Sequence, residues 1–312
     1  MLNEKHRAEF HASGVSDEMI ERAGVRSVEG AEVKRILGWQ SRGAPWGTGW
    51  AIPFRFNGET DPTYQRVKLD FPRDNGEGGV VKYESPRNAP NRAYYPPGFW
   101  DAIADPATPI FLTEGEKKSL SAMQRGFATI SLVGVWGFGR KRPRRATGKA
   151  TGPRFLIEDL NRIHWNGRRV YIIFDSDAAE KAEVKAAENT VAAMLAGRGA
   201  DVRVVHLPAV VESGKTGLDD FLVHYGEHGP ARLRELLEAA TRVEATKTSA
   251  AAAAPMELAD TYISTRVLDA DGPRLRHWRD EFYRWTGTHF QPVPRGDFVK
   301  GVLAWLDGQV DR

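Results

Sequence analysis

The sequence predicts an α/β fold: a parallel sheet flanked by helices, with an N-terminal α+β subdomain rich in antiparallel strands and a small C-terminal α+β segment. Three observations predict it. Residues 107–240 alternate short apolar, β-branched runs with amphipathic stretches of helix length, the pattern of parallel strands joined by crossover helices. Residues 44–97 carry nearly alternating runs at 49–56 and 65–71, broken by Asn57-Gly58 and Asn75-Gly76, dipeptides that favour hairpin turns. Residues 245–255 are alanine-rich and of low complexity, which marks a linker.

In chain order, residues 6–38 predict two short helices, with Ser16 as a helix start and Gly14, Gly24 and Gly38 as punctuation. Strands are expected at 109–113, 129–133, 170–174 and 201–207, with helices at 116–125 and 179–196. The second helix places Val184, Ala187, Val191 and Met194 on one face and puts Gly197 in the left-handed position that ends it. Beyond the linker, 256–312 reads as a helix, a hairpin around 285–289 and a final amphipathic helix. The expected divisions are an N-terminal subdomain at 1–105, a core at 106–244, a linker at 245–255 and the start of a further domain at 256–312.

Composition bounds the chemistry. The chain has 312 residues, enough for about two domains. A net charge of +3 makes it no polycation, so any nucleic-acid surface must be a local patch. The absence of cysteine excludes disulfides, thiolate zinc sites and a cysteine nucleophile. No apolar leader opens the chain and no run approaches the length of a membrane span, so a cytoplasmic protein without a membrane partner is expected.

Two runs carry the chemistry. Residues 109–118 form an apolar strand that ends at Glu114, followed by Gly115 and a helix start that includes Lys117 and Lys118. Residues 170–177 form a second strand that ends in Asp175-Ser176-Asp177, and in extended chain carboxylates two apart project to one side. Ligands of open parallel sheets bind at the carboxyl ends of the strands. Carboxylates converging there repel one another unless a cation joins them, and the hard cation that suits them is Mg²⁺. Lys117 and Lys118 lie in a first helical turn, where the dipole disfavours cations and a docked phosphate would offset that cost.

A strand ending in Glu-Gly, a second ending in Asp-x-Asp, and βαβ spacing between them resemble a Toprim domain, the metal-binding core of bacterial-type primases, topoisomerases and some nucleases. More narrowly, residues 6–228 resemble the Toprim-like primase modules of phage and plasmid primase-helicases. The matching stretches are Ser13-Gly14-Val15-Ser16, Ala51-Ile52-Pro53-Phe54, Glu114-Gly115-Glu116-Lys117-Lys118, Gly134-Val135-Trp136, Phe174-Asp175-Ser176-Asp177 and Gly217-Leu218-Asp219-Asp220-Phe221. Residues 258–306, with Arg276-His277-Trp278 and Phe282-Tyr283-Arg284-Trp285, look like the opening of the helicase part.

The resemblance implies a Toprim-type primase that makes short primers on a single-stranded DNA template from nucleoside triphosphates, working with a helicase domain or helicase partner. It implies Mg²⁺ or Mn²⁺ held by Glu114, Asp175 and Asp177, with Asp219 a further acid, and Lys117 and Lys118 beside them in the catalytic group. Two departures stand out. Bacterial replicative primases carry an acid four residues after the Glu, where this chain has Lys118, and a Gly soon after Asp-x-Asp, where it has Ala178-Ala179-Glu180. A Toprim nuclease, or a single-strand-binding or helicase-loading module without turnover, is the alternative; Lys118 is the feature that favours the binding module.

Residues 140–154 hold seven basic residues and no acid. Arg140, Lys141, Arg142, Arg144, Arg145 and Lys149 are the candidate nucleic-acid contacts, a loop that tracks template phosphates. Ser213-Gly214-Lys215-Thr216 is no Walker A loop, because position 209 is Ala rather than Gly; it reads as a turn. Asp219 and Asp220 also suit capping of a helix at Phe221. The aromatics Trp46, Trp50, Tyr64, Tyr94 and Tyr95 read chiefly as the core of the small β region.

Overall fold

Among the described residues the chain opens with three short helices rather than two: α1 (Glu4–Ala12), α2 (Asp17–Ala23) and, after strand β1 (Arg26–Glu29), α3 (Gly30–Leu37). The computed structural model describes residues 1–38, 47–56, 64–74, 79–141, 154–176, 181–210, 215–243, 262–269, 272–278 and 281–310. Helix α2 starts where its cap residue stands, with the Ser16 hydroxyl accepting from the Met19 N–H at 3.2 Å. The segment between α2 and α3 is a strand because it extends a sheet edge: Val28 is buried and sits opposite Gly49. That sheet is antiparallel in the order β1, β2 (Thr48–Phe54), β3 (Tyr64–Asp74), β4 (Val80–Glu84). Both Asn-Gly pairs expected to turn it lie outside the described residues.

The parallel sheet follows. Its elements are β5 (Ala93–Tyr94), α4 (Phe99–Ala102), β6 (Ile110–Glu114), α5 (Glu116–Met123), β7 (Thr129–Leu132), α6 (Glu158–Asn161), β8 (Arg169–Ile172), α7 (Ala182–Ala196), β9 (Asp201–Val204), α8 (Leu218–His224) and α9 (Gly229–Ala239). The strand order is β5-β7-β6-β8-β9, with β5 antiparallel to β7 and the other pairs parallel. Strands buried on both faces need apolar residues at every position, and alternation sorts them. Ile110, Leu112, Val170 and Ile172 pack with α7, whereas Phe111, Tyr171 and Ile173 pack with α8 and α9. Each such side chain contributes roughly 1.5–3 kcal/mol through burial.

Helix α7 departs from the expected face. Its most buried residues are Ala187, Val191, Ala192 and Leu195, with Val184 and Met194 at the margin, because the helix is rotated to lay its small residues on the sheet. Gly197 is not left-handed either; its φ is −62°, and the turn is made two residues later by Gly199 at φ +84°.

The antiparallel region and the parallel sheet share a core within residues Met1–Glu244, which form one compact unit. Phe10, Trp50, Phe54, Tyr64 and Tyr94 cluster there with Leu120 of α5, and Tyr95 is buried as well, so Trp50, Tyr64, Tyr94 and Tyr95 are core residues, whereas Phe71 of β3 is exposed. Trp46 lies outside the described residues.

The second unit, Ala245–Arg312, has its own small sheet. A π turn (Ile263–Val267) leads into the pair β10 (Leu268–Asp269) and β11 (Gly272–Pro273). Strands β12 (Leu275–Trp278), β13 (Glu281–Trp285) and β14 (Phe290–Val293) form an antiparallel sheet, and helix α10 (Arg295–Val310) follows. The expected hairpin is present, with Trp285 opposite Phe290 and the Thr286 N–H donating to the His289 carbonyl at 2.9 Å. Phe298 of α10 stacks on Phe282 at 4.1 Å between ring centres. No helix among the described residues is long and apolar enough to cross a membrane.

Candidate functional site

The site is built at the carboxyl edge of the parallel sheet, where β6 and β8 end side by side. Strand β6 stops at Glu114 because Gly115, at φ +91°, turns the chain sharply into α5. The first turn of α5 then sends three consecutive charged side chains in different directions. Glu116, 2% exposed, reaches back to the antiparallel sheet and accepts from the Arg66 guanidinium of β3 at 2.5 Å. Burial works against the charge on Arg66, but the Glu116 carboxylate outweighs it and holds that guanidinium more firmly protonated than usual. Lys117 turns to α1, 3.3 Å from the Glu9 carboxylate. Burial tends to raise the Glu9 carboxyl, yet hydrogen bonds from Lys68 and Trp50 and the nearby Lys117 charge bring it below its ordinary value. Lys118 points along the sheet edge to Asp175.

Asp175 follows β8 and is 6% exposed. Its Oδ1 pairs with the Lys118 ammonium, and its Oδ2 pairs with the Lys215 ammonium at 2.9 Å. The chain around Lys215 is pinned beside the strand tip. The Ser176 N–H donates to the Thr216 carbonyl at 2.9 Å, and the Thr216 N–H donates to the Ser176 hydroxyl at 2.8 Å. The Thr216 hydroxyl in turn accepts from the Val210 N–H at 2.9 Å. Gly217 then leaves room for the lysine. A Cβ there would lie 2.6 Å from Lys118 Cε and 2.8 Å from Asp219 Oδ1. Asp219 is buried at the start of α8, and Asp220 caps that helix by accepting from the Gly217 N–H at 2.9 Å.

Of the expected acids, Glu114, Asp175 and Asp219 are described, whereas Asp177 lies outside the described residues. The donor chemistry, hard carboxylate oxygen, suits Mg²⁺ or Mn²⁺. The arrangement does not present it. Among the described residues no group of three His, Cys, Asp or Glu side chains stands close enough to hold a metal ion, and both oxygens of Asp175 are taken by lysines.

Of the basic segment, Arg140 and Lys141 are described, and Arg142, Arg144, Arg145 and Lys149 lie outside the described residues. Arg140 donates to the Leu156 carbonyl at 3.1 Å and pairs with Glu158 at 3.3 Å; Lys141 donates to the Ala89 carbonyl at 2.6 Å. Sequence reasoning missed Lys215, read only as part of a turn, and the Arg66–Glu116 pair. The signal for Lys215 was its position two residues before Gly217-Leu218-Asp219-Asp220, a stretch already tied to the site.

Solved structures of primases share this arrangement of elements. The zinc-binding and RNA polymerase domains of the Aquifex aeolicus primase superpose with a TM-score of 0.52 at 13% identity, over 77% of this chain and 57% of that one. The RNA polymerase domain of Mycobacterium tuberculosis primase DnaG gives 0.51 at 15% identity, over 76% of each chain. A DnaG catalytic core gives 0.50 at 12% identity, over 77% of this chain and 73% of that one. The fold is that of a primase catalytic core. A family model described as a domain of unknown function (DUF3854) matches residues 99–229, which run from α4 to the start of α9. An uncharacterized protein of Picosynechococcus sp. is 32% identical over 133 residues, which span 41% of this chain and only 13% of that protein. The carboxyl edge of this sheet carries Glu114 at the end of β6 and Asp175 after β8, with Lys118 and Lys215 on the latter.

Proposed function

We propose that residues 1–244 act as a Toprim-type primase module, joining nucleotides into short primers on a single-stranded DNA template. The observation that carries this reading is the strand-tip Asp175, paired with Lys118 and Lys215 at the carboxyl edge of a primase-core sheet. Two structural neighbours are described as RNA polymerase domains of primases, which supports ribonucleoside triphosphates as substrates. In this reading Glu114, Asp175 and Asp177, with Asp219 behind them, would hold Mg²⁺ or Mn²⁺. The ion, when bound, would neutralise the triphosphate and activate the primer 3′-hydroxyl. Lys118 and Lys215 lie within reach of the same phosphates, while the basic residues of 140–149 hold the template backbone. Lys117 supports the site indirectly, by tying α5 to α1 through Glu9.

We place the module in a phage or plasmid primase-helicase of the cytoplasm. The support is the sequence of 258–306 and the far greater length of the Picosynechococcus relative. The test is incorporation of labelled nucleotides on single-stranded DNA with Mg²⁺ or Mn²⁺, comparing the intact chain with Asp175→Ala. Template-dependent product from the intact chain alone supports the proposal. A shortened template means a nuclease. Binding without turnover, indifferent to divalent metal, means a single-strand-binding or helicase-loading module, the reading that the lysine on Asp175 favours next.

A further inference from the structure

Asp175 is nine-tenths buried, yet both its oxygens face an ammonium group. A carboxylate so enclosed requires a compensating cation, because an isolated buried charge is strongly unfavourable. Lys118 fills that requirement from inside. Its side chain is only 18% exposed and passes over Gly217, where even a methyl group would collide with its Cε. Lys215 is the looser partner at 54% exposure. The neighbouring Lys117 has the same charge in the same helical turn but is committed to Glu9.

We infer that Lys118 is the resident cation of this carboxylate group: its ammonium occupies the place at Asp175 that a divalent ion would take, and metal binds there only by displacing it. The inference rests on the metal part of the proposed function, and it makes Lys118 a positioning residue that sets how readily Asp175 is released. Two cations competing for one carboxylate are negatively coupled, so removing the lysine charge tightens metal binding at this position. Gly217 belongs to the device, since it opens the passage through which the lysine reaches the acid.

The test is binding of Mn²⁺ to the full chain, followed by the electron paramagnetic resonance of the free ion, without nucleotide or DNA. Lys118→Gln is expected to bind Mn²⁺ roughly ten-fold more tightly than the unaltered chain. Lys117→Gln, which removes an identical charge one residue away, is expected to change affinity by less than about two-fold, the effect of a more distant charge. Adding Asp175→Asn to Lys118→Gln is expected to abolish the gain. Lys118→Met provides a second neutral variant should Lys118→Gln fold poorly, with circular dichroism confirming the native state. Equal affinities for the Lys118 and Lys117 variants, or a gain that survives Asp175→Asn, overturn the inference. These readouts do not depend on primer synthesis, so a chain that makes no primer still passes or fails them.

Discussion

The ammonium of Lys118 and the carboxylate of Asp175 form an ion pair that spans the carboxyl edge of the sheet, from the first turn of α5 to the tip of β8. Lys118 lies in the first turn of α5, four residues after Glu114 at the end of β6, and the same turn sends Glu116 to the antiparallel sheet and Lys117 to α1. These three consecutive residues thus join the two halves of the first unit and set the charge of the candidate site. A change in the docking of the antiparallel region should therefore be felt at Asp175.

Gly217→Ala tests the passage of Lys118 directly. The new methyl group would meet Lys118 Cε at 2.6 Å, and the flexible end of a lysine can move away at low cost. The expected loss of stability is about 1–2 kcal/mol in urea unfolding, in line with modest overpacking. Mn²⁺ affinity is expected to rise in the same direction as in Lys118→Gln. Unchanged metal affinity together with unchanged stability would show that the lysine does not depend on this gap.

The Arg66–Glu116 pair is the buried joint between the antiparallel sheet and α5, with Arg66 also lying 5.1 Å from the centre of the Tyr83 ring. Removing one partner leaves the other charge uncompensated, so Arg66→Ala should destabilise by about 3–5 kcal/mol. Replacing both with apolar residues of similar volume, Arg66→Met with Glu116→Leu, should recover most of that loss. Chemical denaturation of Arg66→Met, Glu116→Leu and the double variant measures the coupling. Additive losses would mean that the pair is not a unit.

The sheet was legible because fully buried strands are apolar at every position, and Ile110–Glu114 and Arg169–Ile172 are short runs of that kind closed by acid or turn residues. The acids at 114 and 175 stood out for the same reason: a charge directly after such a run must lie at the sheet edge. Pairings between distant segments left no such trace. Nothing local in Arg66 announces Glu116 fifty residues on, and nothing in Lys215 announces Asp175, since either lysine or arginine would read equally well as a solvated side chain. Strand β1 was also hidden, because four residues with one buried side chain gain their strand character from the neighbouring strand β2 rather than from their own pattern.

Asp70 makes stability depend on acid pH. Burial opposes its charge, but hydrogen bonds from Lys5, Thr48 and His6 prevail and lower its pKa from 3.8 to about 2. A carboxyl with a depressed folded pKa contributes stability that is fully present above its unfolded value and is lost as pH falls through the folded one. The stability difference between the unaltered chain and Asp70→Asn should therefore be constant above about pH 5, at about 1–2 kcal/mol, should fall steeply between about pH 4 and pH 2, and should vanish toward about pH 1. Urea unfolding across that range measures it. A difference that stays constant down to pH 2 would assign the effect to packing and not to the charge.

The basic segment makes a prediction about salt. If Arg142, Arg144, Arg145 and Lys149 contact template phosphates, each releases condensed counterions on binding, about 0.7 per neutralised phosphate for a single strand. Replacing all four with serine should reduce the slope of log affinity against log salt by up to about 3 for a single-stranded oligonucleotide. Arg140 and Lys141 already serve Glu158 and the Ala89 carbonyl, so replacing them should change the slope less than replacing the other four. Fluorescence anisotropy at several salt concentrations provides the measurement, and Mg²⁺ should be omitted so that ion competition at the phosphates does not mask the slope. An unchanged slope would remove the segment from the nucleic-acid surface.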